Sequence, residues 1–474
     1  MREQLVFFVN GRRHTVVGGD CFLSLSEFLR ERLRLTGTKV VCAEGDCGSC
    51  SVLVGRPDGD KLAYRTFDSC IQLLFQLDGA HVVTVEGLRH GDELSRVQAA
   101  MVEQHGSQCG YCTPGFVVAM TGLLENCARP DENDWRCGLT GNLCRCTGYV
   151  PILAAGRQAA GQPGTSLEAL YPSGPMLDEM RRLRGESLAM SDGRRQFASP
   201  ITLAEAIDFL AEHPQAKLVA GATDVGVQIN KRMIAPEVFL DLNRVAELEG
   251  IDDDGQTITC GARASWAALH AACADRVPEF AAIVSIFGSP QIRHAGTIGG
   301  NIVNASPIAD SLPFLFVTES ELELAGPQGT RTVNVTDFYH GYRQTDLRPG
   351  ELLTRVRIPV PDRGQHLALY KVSRRRDLDI ATFTAGVLLH VAAGKIVEAR
   401  VALGAVAPTV VRARRTEAFL RGKPFDEATM QAAGEQAAAE ISPISDVRGG
   451  ADFRLQLTRN VFLRFFHERM QAAA

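Results

Sequence analysis

The 474-residue chain has no apolar run of about 18 residues or more, so it predicts no membrane span. It has no excess of one charge. Fifty Lys+Arg stand against 55 Asp+Glu, a net of −5, which argues against a general binder of nucleic acid or of anionic membranes. The opening Met1-Arg2-Glu3-Gln4-Leu5-Val6-Phe7-Phe8 is too charged and its apolar run too short for a signal peptide, so the expected compartment is the reducing cytoplasm. No Gly-x-Gly-x-x-Gly follows a strand, which argues against a Rossmann nucleotide site. No repeat of fixed period is evident. What is present is ample apolar matter, 45% of residues, enough for several cores and against global disorder. At roughly 150 residues per domain the length suggests about three domains.

Thirteen cysteines are unevenly spread. Eleven lie in the first 146 residues, and only Cys260 and Cys273 lie beyond. In a reducing compartment a disulfide framework does not explain them; thiolate ligation of metal does. Cys42, Cys47 and Cys50 are spaced x4 and x2, with Cys70 further on. Iron favours soft thiolates, and four of them complete a two-iron, two-sulfide cluster with this plant-ferredoxin spacing. Gly45 and Gly48 let the loop curl around such a core. Cys109-Gly110-Tyr111-Cys112 and Cys144-Arg145-Cys146 form a second possible clasp, for which zinc is the alternative on spacing alone. Thr113-Pro114-Gly115 predicts a helix start behind the first pair, favourable to thiolate charge. Cys127 and Cys137 lack a close thiol neighbour and read as structural.

Around these motifs, Leu5–Val9, the turn Asn10-Gly11 and a return strand from Thr15 predict a hairpin. Ser24 caps a helix. Strands follow at 51–54 and 82–85, with a second hairpin-like stretch around Pro57-Asp58-Gly59-Asp60, a β-grasp-like pattern. From about residue 92 the three- and four-residue apolar spacing predicts helices. Residues 161–195, rich in Gly and Pro, read as a linker, with Arg181-Arg182-Leu183-Arg184 solvated. Beyond about 197, strands and helices alternate, and the last 50 residues read as helical.

The segments Cys42-Ala43-Glu44-Gly45-Asp46-Cys47-Gly48-Ser49-Cys50, Gln108-Cys109-Gly110-Tyr111-Cys112-Thr113-Pro114-Gly115 and Gly141-Asn142-Leu143-Cys144-Arg145-Cys146-Thr147-Gly148-Tyr149 resemble the two iron–sulfur signatures of the xanthine dehydrogenase (molybdenum hydroxylase) family. The resemblance implies a multidomain α+β chain. Its parts are a β-grasp ferredoxin-like 2Fe-2S domain (1–88), a helical 2Fe-2S domain (89–160), the linker (161–195), an α/β FAD-binding domain of the PCMH/VAO-like kind (196–366) and a C-terminal α+β flavoprotein domain (367–474). It implies that Cys42, Cys47, Cys50 and Cys70 hold one cluster, and Cys109, Cys112, Cys144 and Cys146 the other. One departure is Val40-Val41, where many relatives carry an acidic residue and Gly.

Two small-residue turns complete the pattern. Lys217-Leu218-Val219-Ala220-Gly221-Ala222-Thr223-Asp224-Val225 is a strand entering a turn whose amides can approach a diphosphate. Gln291 to Asn304 holds a second. The resemblance implies FAD contacts from 217–225 and from Thr297, Gly300, Asn301, Asn304 and Asp310. It also implies Phe287 against the isoalloxazine, and contacts from Leu353 and Lys371, with Arg374–Asp379 along the flavin's approach. Gln108 would meet a pterin, and Cys146 its amino group. Because the sequence stops at Ala474, the resemblance implies a separate molybdopterin-binding large subunit, two small and two large chains together. That subunit would hydroxylate hypoxanthine or xanthine, and NAD+ or oxygen would take the electrons; the alternatives are the equivalent subunit of an aldehyde or N-heteroaromatic dehydrogenase of the family, and a freestanding iron–sulfur flavoprotein electron carrier. No side-chain general base is expected in this chain.

Overall fold

The structure, a computed structural model, describes residues 1–362 and 364–473. Its contacts divide it into two units. The first comprises Met1–Ala246 with Gly288–Gly296; the second comprises Glu247–Phe287 and the chain from Thr297 onward.

The first unit opens with the expected hairpin. Strand Leu5–Val9 pairs antiparallel with Arg12–Val16 across Asn10 and Gly11, which both take positive φ. The return strand therefore begins at Arg12, three residues before the sequence suggests. Ser24 caps its helix reciprocally with Glu27. Five strands then form a mixed sheet in the order Arg12–Val16, Leu5–Val9, His81–Val83, Ser51–Asp58, Lys61–Asp68. Leu5–Val9 and His81–Val83 run parallel. This is the β-grasp arrangement. Helices Arg96–Glu103, Thr113–Asn126, Glu132–Gly138 and Val150–Ala160 follow, with Phe116, Met120, Trp135 and Ile152 buried among them.

Residues 161–195 are not a bare connection. They hold helices Leu167–Leu170 and Gly174–Arg184 and strand Leu188–Ser191. Met176, Leu177, Met180 and Leu183 are buried. Pro175 sits in the first turn of the longer helix, where proline starts helices rather than breaking them. Strand Leu188–Ser191 joins a four-stranded sheet with Gln196–Ser199, Val238–Asp241 and Lys217–Val219. That sheet shares a core with the β-grasp sheet: Phe75 stacks on Phe197 at 4.8 Å, and Phe239 lies 5.6 Å from Phe75. This shared apolar core explains why the division runs through 196–366, which the sequence reads as one domain.

The second unit has an antiparallel five-stranded sheet ordered Ile251–Asp253, Thr257–Gly261, Leu352–Pro359, Glu321–Gly326, Gly329–Asn334. A four-stranded antiparallel sheet of Gln365–Val372, Phe383–Ala392, Lys395–Gly404 and Val411–Arg412 precedes helices Arg414–Leu420, Glu427–Ala438 and Ala451–Ala473. Phe280 and Phe314 stack at 4.2 Å in its core. Among the described residues no helix is long and apolar enough to cross a membrane.

His81 ties the β-grasp sheet together. It is fully buried. The Gly11 amide donates to its Nε2 at 2.9 Å, so Nε2 carries no proton, and Nδ1 donates to Tyr64 Oη at 2.7 Å. The imidazole is therefore neutral in the fold, and burial pushes its pKa down from 6.5 to about 4. The unfolded chain takes up this proton first, so stability is full at neutral pH and falls between pH 6.5 and about 4. At about 1.4 kcal/mol for each pH unit of difference, the loss approaches about 3 kcal/mol. Urea unfolding of wild type and His81→Gln across this range checks it: the wild-type profile should slope, and the variant's should lose that part of the slope.

Candidate functional site

The first thiol loop, Cys42–Cys50, has no regular secondary structure. Ala43, Gly45 and Gly48 take positive φ, from 56° to 73°, which turns the loop around its own sulfurs. Cys50 and Cys70 are buried, Cys42 and Cys47 half-buried. The four thiols act on one another. Cys47 and then Cys70 donate to Cys42, and the Glu44 and Asp46 amides add to this, so Cys42 is held far below the ordinary thiol range. Donating to Cys42 pushes Cys47 up; donating to Cys42 and Cys50 pushes Cys70 up.

The second site is built on helix Thr113–Asn126. Cys112 is its N-cap, with Pro114 in its first turn, as the sequence suggests. The Tyr111 amide and then the Cys146 thiol lower Cys109. Burial and a hydrogen bond to Cys144 push Cys112 up to about 12. Tyr149, at φ 70°, presents its hydroxyl to the Cys144 amide at 3.0 Å. Cys109, Cys146 and Gln108 are exposed, and so is Tyr111. Cys127 and Cys137 contact Asp134 and Asn133. Among the described residues no three His, Cys, Asp or Glu side chains gather as ligands of a single ion would. Cys42 acts on Cys47 and Cys70, and Cys70 on Cys50, while Cys109 acts on Cys146 and Cys112 on Cys144, so each site gathers the four thiols that a 2Fe-2S cluster takes.

The two loops meet backbone to backbone. A Cβ on Gly48 would lie 2.2 Å from the Gly141 carbonyl oxygen, and one on Gly115 would lie 2.1 Å from that of Gly48. The Leu143 amide donates to the Cys47 carbonyl at 3.0 Å. Asn142 donates to the Gly48 carbonyl at 3.0 Å, and Gln291 donates to Asn142 and to Ser51 at 3.0 Å each. Sequence reasoning did not single out Asn142, Gln291 and Ser51 as a unit, although two of them stand inside the quoted motifs. Asn230 and Lys231, which reach the first loop, carry no sequence signal.

The turn after strand Lys217–Val219 is as tight as its small residues suggest. Ala222 takes φ 59°, and a Cβ on Gly221 would lie 2.1 Å from the Ala295 carbonyl oxygen. Helix Val225–Asn230 starts immediately after it. The other flavin candidates lie in the second unit. Thr297 caps helix Ile298–Val303 by accepting from the Gly300 amide at 3.1 Å. Asn301 accepts from Ser311 at 2.6 Å, and Asn304 ends the helix. Half-buried Phe287 lies edge-on to Trp266 at 5.0 Å. Leu353 is 6% exposed, within the core. Lys371 pairs with Asp310 at 2.7 Å, both nearly enclosed. Burial raises the Asp310 carboxyl, with Lys371 opposing, and Asp310 Oδ1 has no partner. An enclosed ion pair with one unused acceptor suits a polar ligand such as a flavin nucleotide. The segment 374–379 is held by Arg375 on Asp379 at 2.9 Å.

Comparison with known proteins follows this layout. Residues 7–71 match the 2Fe-2S iron-sulfur cluster binding domain, 84–157 the [2Fe-2S] binding domain, 193–361 the FAD binding domain in molybdopterin dehydrogenase, and 368–469 the CO dehydrogenase flavoprotein C-terminal domain. A carbon monoxide dehydrogenase chain from Hydrogenophaga pseudoflava is 33% identical with TM-score 0.55, and the match covers 95% of that chain and 57% of this one. The chain belongs to the molybdenum hydroxylase family. It carries two 2Fe-2S domains and an FAD-binding domain, and is an electron-transfer module of that family. A quinoline 2-oxidoreductase chain from Pseudomonas putida 86 is 33% identical, with TM-score 0.54 over 58% of this chain and 96% of its own. Xanthine dehydrogenase of Drosophila subobscura is 34% identical over 94% of this chain and 38% of its own length. The chain thus spans about two fifths of the curated relatives it matches.

Removing one partner of an enclosed ion pair costs about 3–5 kcal/mol, whereas an apolar replacement of both is often neutral. Lys371→Met should therefore lower the thermal stability of the flavin-binding part and its FAD content. Lys371→Met with Asp310→Leu should recover the stability but not the flavin, read by calorimetry and by flavin absorbance after gel filtration.

Proposed function

We propose that this chain is the small subunit of a xanthine dehydrogenase, in which a molybdopterin-bearing large subunit hydroxylates hypoxanthine or xanthine and electrons leave through this chain to NAD+. When bound, the two clusters and FAD supply the redox chemistry. The chain's own residues hold and orient them. Cys42, Cys47, Cys50 and Cys70 would hold one cluster, and Cys109, Cys112, Cys144 and Cys146 the other. The 217–225 turn, Thr297, Gly300, Asn301, Asn304 and Asp310 would hold FAD. Phe287 and Leu353 would bound its ring, and Lys371 would stabilise negative charge there. Exposed Gln108 and Cys146 would meet the pterin of the large subunit. The assembly would be two small and two large chains in the cytoplasm.

One observation carries the xanthine reading. The xanthine dehydrogenase match runs through 94% of this chain, across all four domains on one polypeptide, whereas the carbon monoxide dehydrogenase and quinoline oxidoreductase chains, matched over 95% and 96% of their own length, correspond to 57% and 58% of it and so carry only part of this domain order. The latter favour the second reading, an equivalent subunit acting on another N-heteroaromatic compound or on an aldehyde. Purification from the native host tests both. Molybdenum should accompany a second polypeptide, with hypoxanthine-dependent NAD+ reduction. Activity with an N-heteroaromatic or aldehyde but not with purines would select the second reading.

Cys112→Ser should remove iron from the helical site and leave FAD near stoichiometric. Purine-to-NAD+ turnover should fall by orders of magnitude, while NADH-driven dye reduction persists. Loss of dye reduction with FAD still bound would contradict the assigned order of carriers.

A further inference from the structure

The first thiol loop is gripped by a segment that the ligand motif does not contain. Helix Val225–Asn230 ends beside it. Asn230 Nδ2 donates to the carbonyl oxygens of Ala43 at 3.0 Å and Cys70 at 2.8 Å. Lys231 Nζ donates to the Cys42 carbonyl at 3.1 Å and pairs with Glu44 at 2.9 Å. Gly226 lets the helix come this close, for a Cβ there would lie 2.3 Å from the Ile71 carbonyl oxygen. Two of the four thiol-bearing residues thus have their carbonyls bound from one short helix. Glu44 and Lys231 are each about two-fifths exposed, at 43% and 41%.

We propose that Asn230 positions the first thiol loop and that the Lys231–Glu44 pair sets the reduction potential of the group the loop holds. The inference rests on the 2Fe-2S reading of Cys42, Cys47, Cys50 and Cys70. Adding an electron to a thiolate-bound cluster adds negative charge, and nearby charges and hydrogen bonds to the ligands set how favourable that is. The ion pair is neutral as a whole. Removing Lys231 uncovers the Glu44 carboxylate and makes reduction harder; removing the Glu44 charge uncovers the ammonium and makes it easier. A purely structural pair would move both variants the same way, or neither.

Full-length wild type, Lys231→Met, Lys231→Arg, Glu44→Gln and the double variant Lys231→Met/Glu44→Gln are titrated with dithionite and mediators. The reduced-cluster signals are followed by electron paramagnetic resonance, with iron and acid-labile sulfide measured on each sample. For the first cluster, Lys231→Met should shift the one-electron equilibrium about fivefold to tenfold towards the oxidised form, tenfold being about 59 mV. Glu44→Gln should shift it the opposite way. Lys231→Arg and the double variant should stay near wild type, and the second cluster's signal should not move. Asn230→Ala should broaden the first signal and speed iron loss to a chelator. Unmoved or same-direction potentials with full iron and sulfide overturn the inference and leave the cluster reading intact. Wild type without iron and sulfide overturns both.

Discussion

The first unit depends on how closely three glycine backbones approach. At Gly48, Gly115 and Gly141 there is no room for a single methyl group, so the two thiol loops are built against each other rather than merely near each other. This constraint orders much else. It puts the Cys47 carbonyl within reach of the Leu143 amide, one residue before Cys144. It brings the first turn of helix Thr113–Asn126 against the first loop. It also leaves a narrow polar seam that only small or planar side chains fit.

That seam is filled by Asn142, Gln291 and Ser51, each no more than 2% exposed. A net hydrogen bond is worth about 1 kcal/mol, but an unpaired buried amide costs more, so the three specify one another. Gln291 comes from helix Pro290–Ala295, far along the chain, which packs on the strand Lys61–Asp68. The same long-range logic operates in the shared phenylalanine core of Phe75, Phe197 and Phe239. Sheet segments on either side of residues 161–195 bury one another's apolar faces, which is why that stretch is folded and not a tether.

The fold was legible wherever the signal is local. Asn10-Gly11 marks a hairpin because both positions need positive φ; Ser24 with Glu27 marks a helix start; the cysteine spacings mark loops that curl. The proline- and glycine-rich stretch 161–195 misled because Pro175 has opposite meanings inside a helix and at its first turn. The cofactor-side residues were legible as motifs, but their contacts were not. Nothing in Asn230 or Lys231 announces that they reach Cys42 and Cys70, since that contact follows from the close approach at Gly226.

The distribution of charge follows from cost. Enclosing a lone charge is expensive unless it is paired and hydrogen-bonded, and the enclosed seam between the thiol loops uses neutral amides and a hydroxyl. Elsewhere in the first unit enclosed charge is shared, Arg2 and Arg244 both closing on Asp78, and at the rim of the first loop Lys231 and Glu44 keep contact with water. In the second unit charge is admitted where Lys371 and Asp310 enclose each other. An exposed pair can be altered one partner at a time with little effect on folding, whereas an enclosed pair cannot. The rim is therefore where such a fold can adjust the affinity of a bound group for electrons without rebuilding the junction that holds its two thiol loops together.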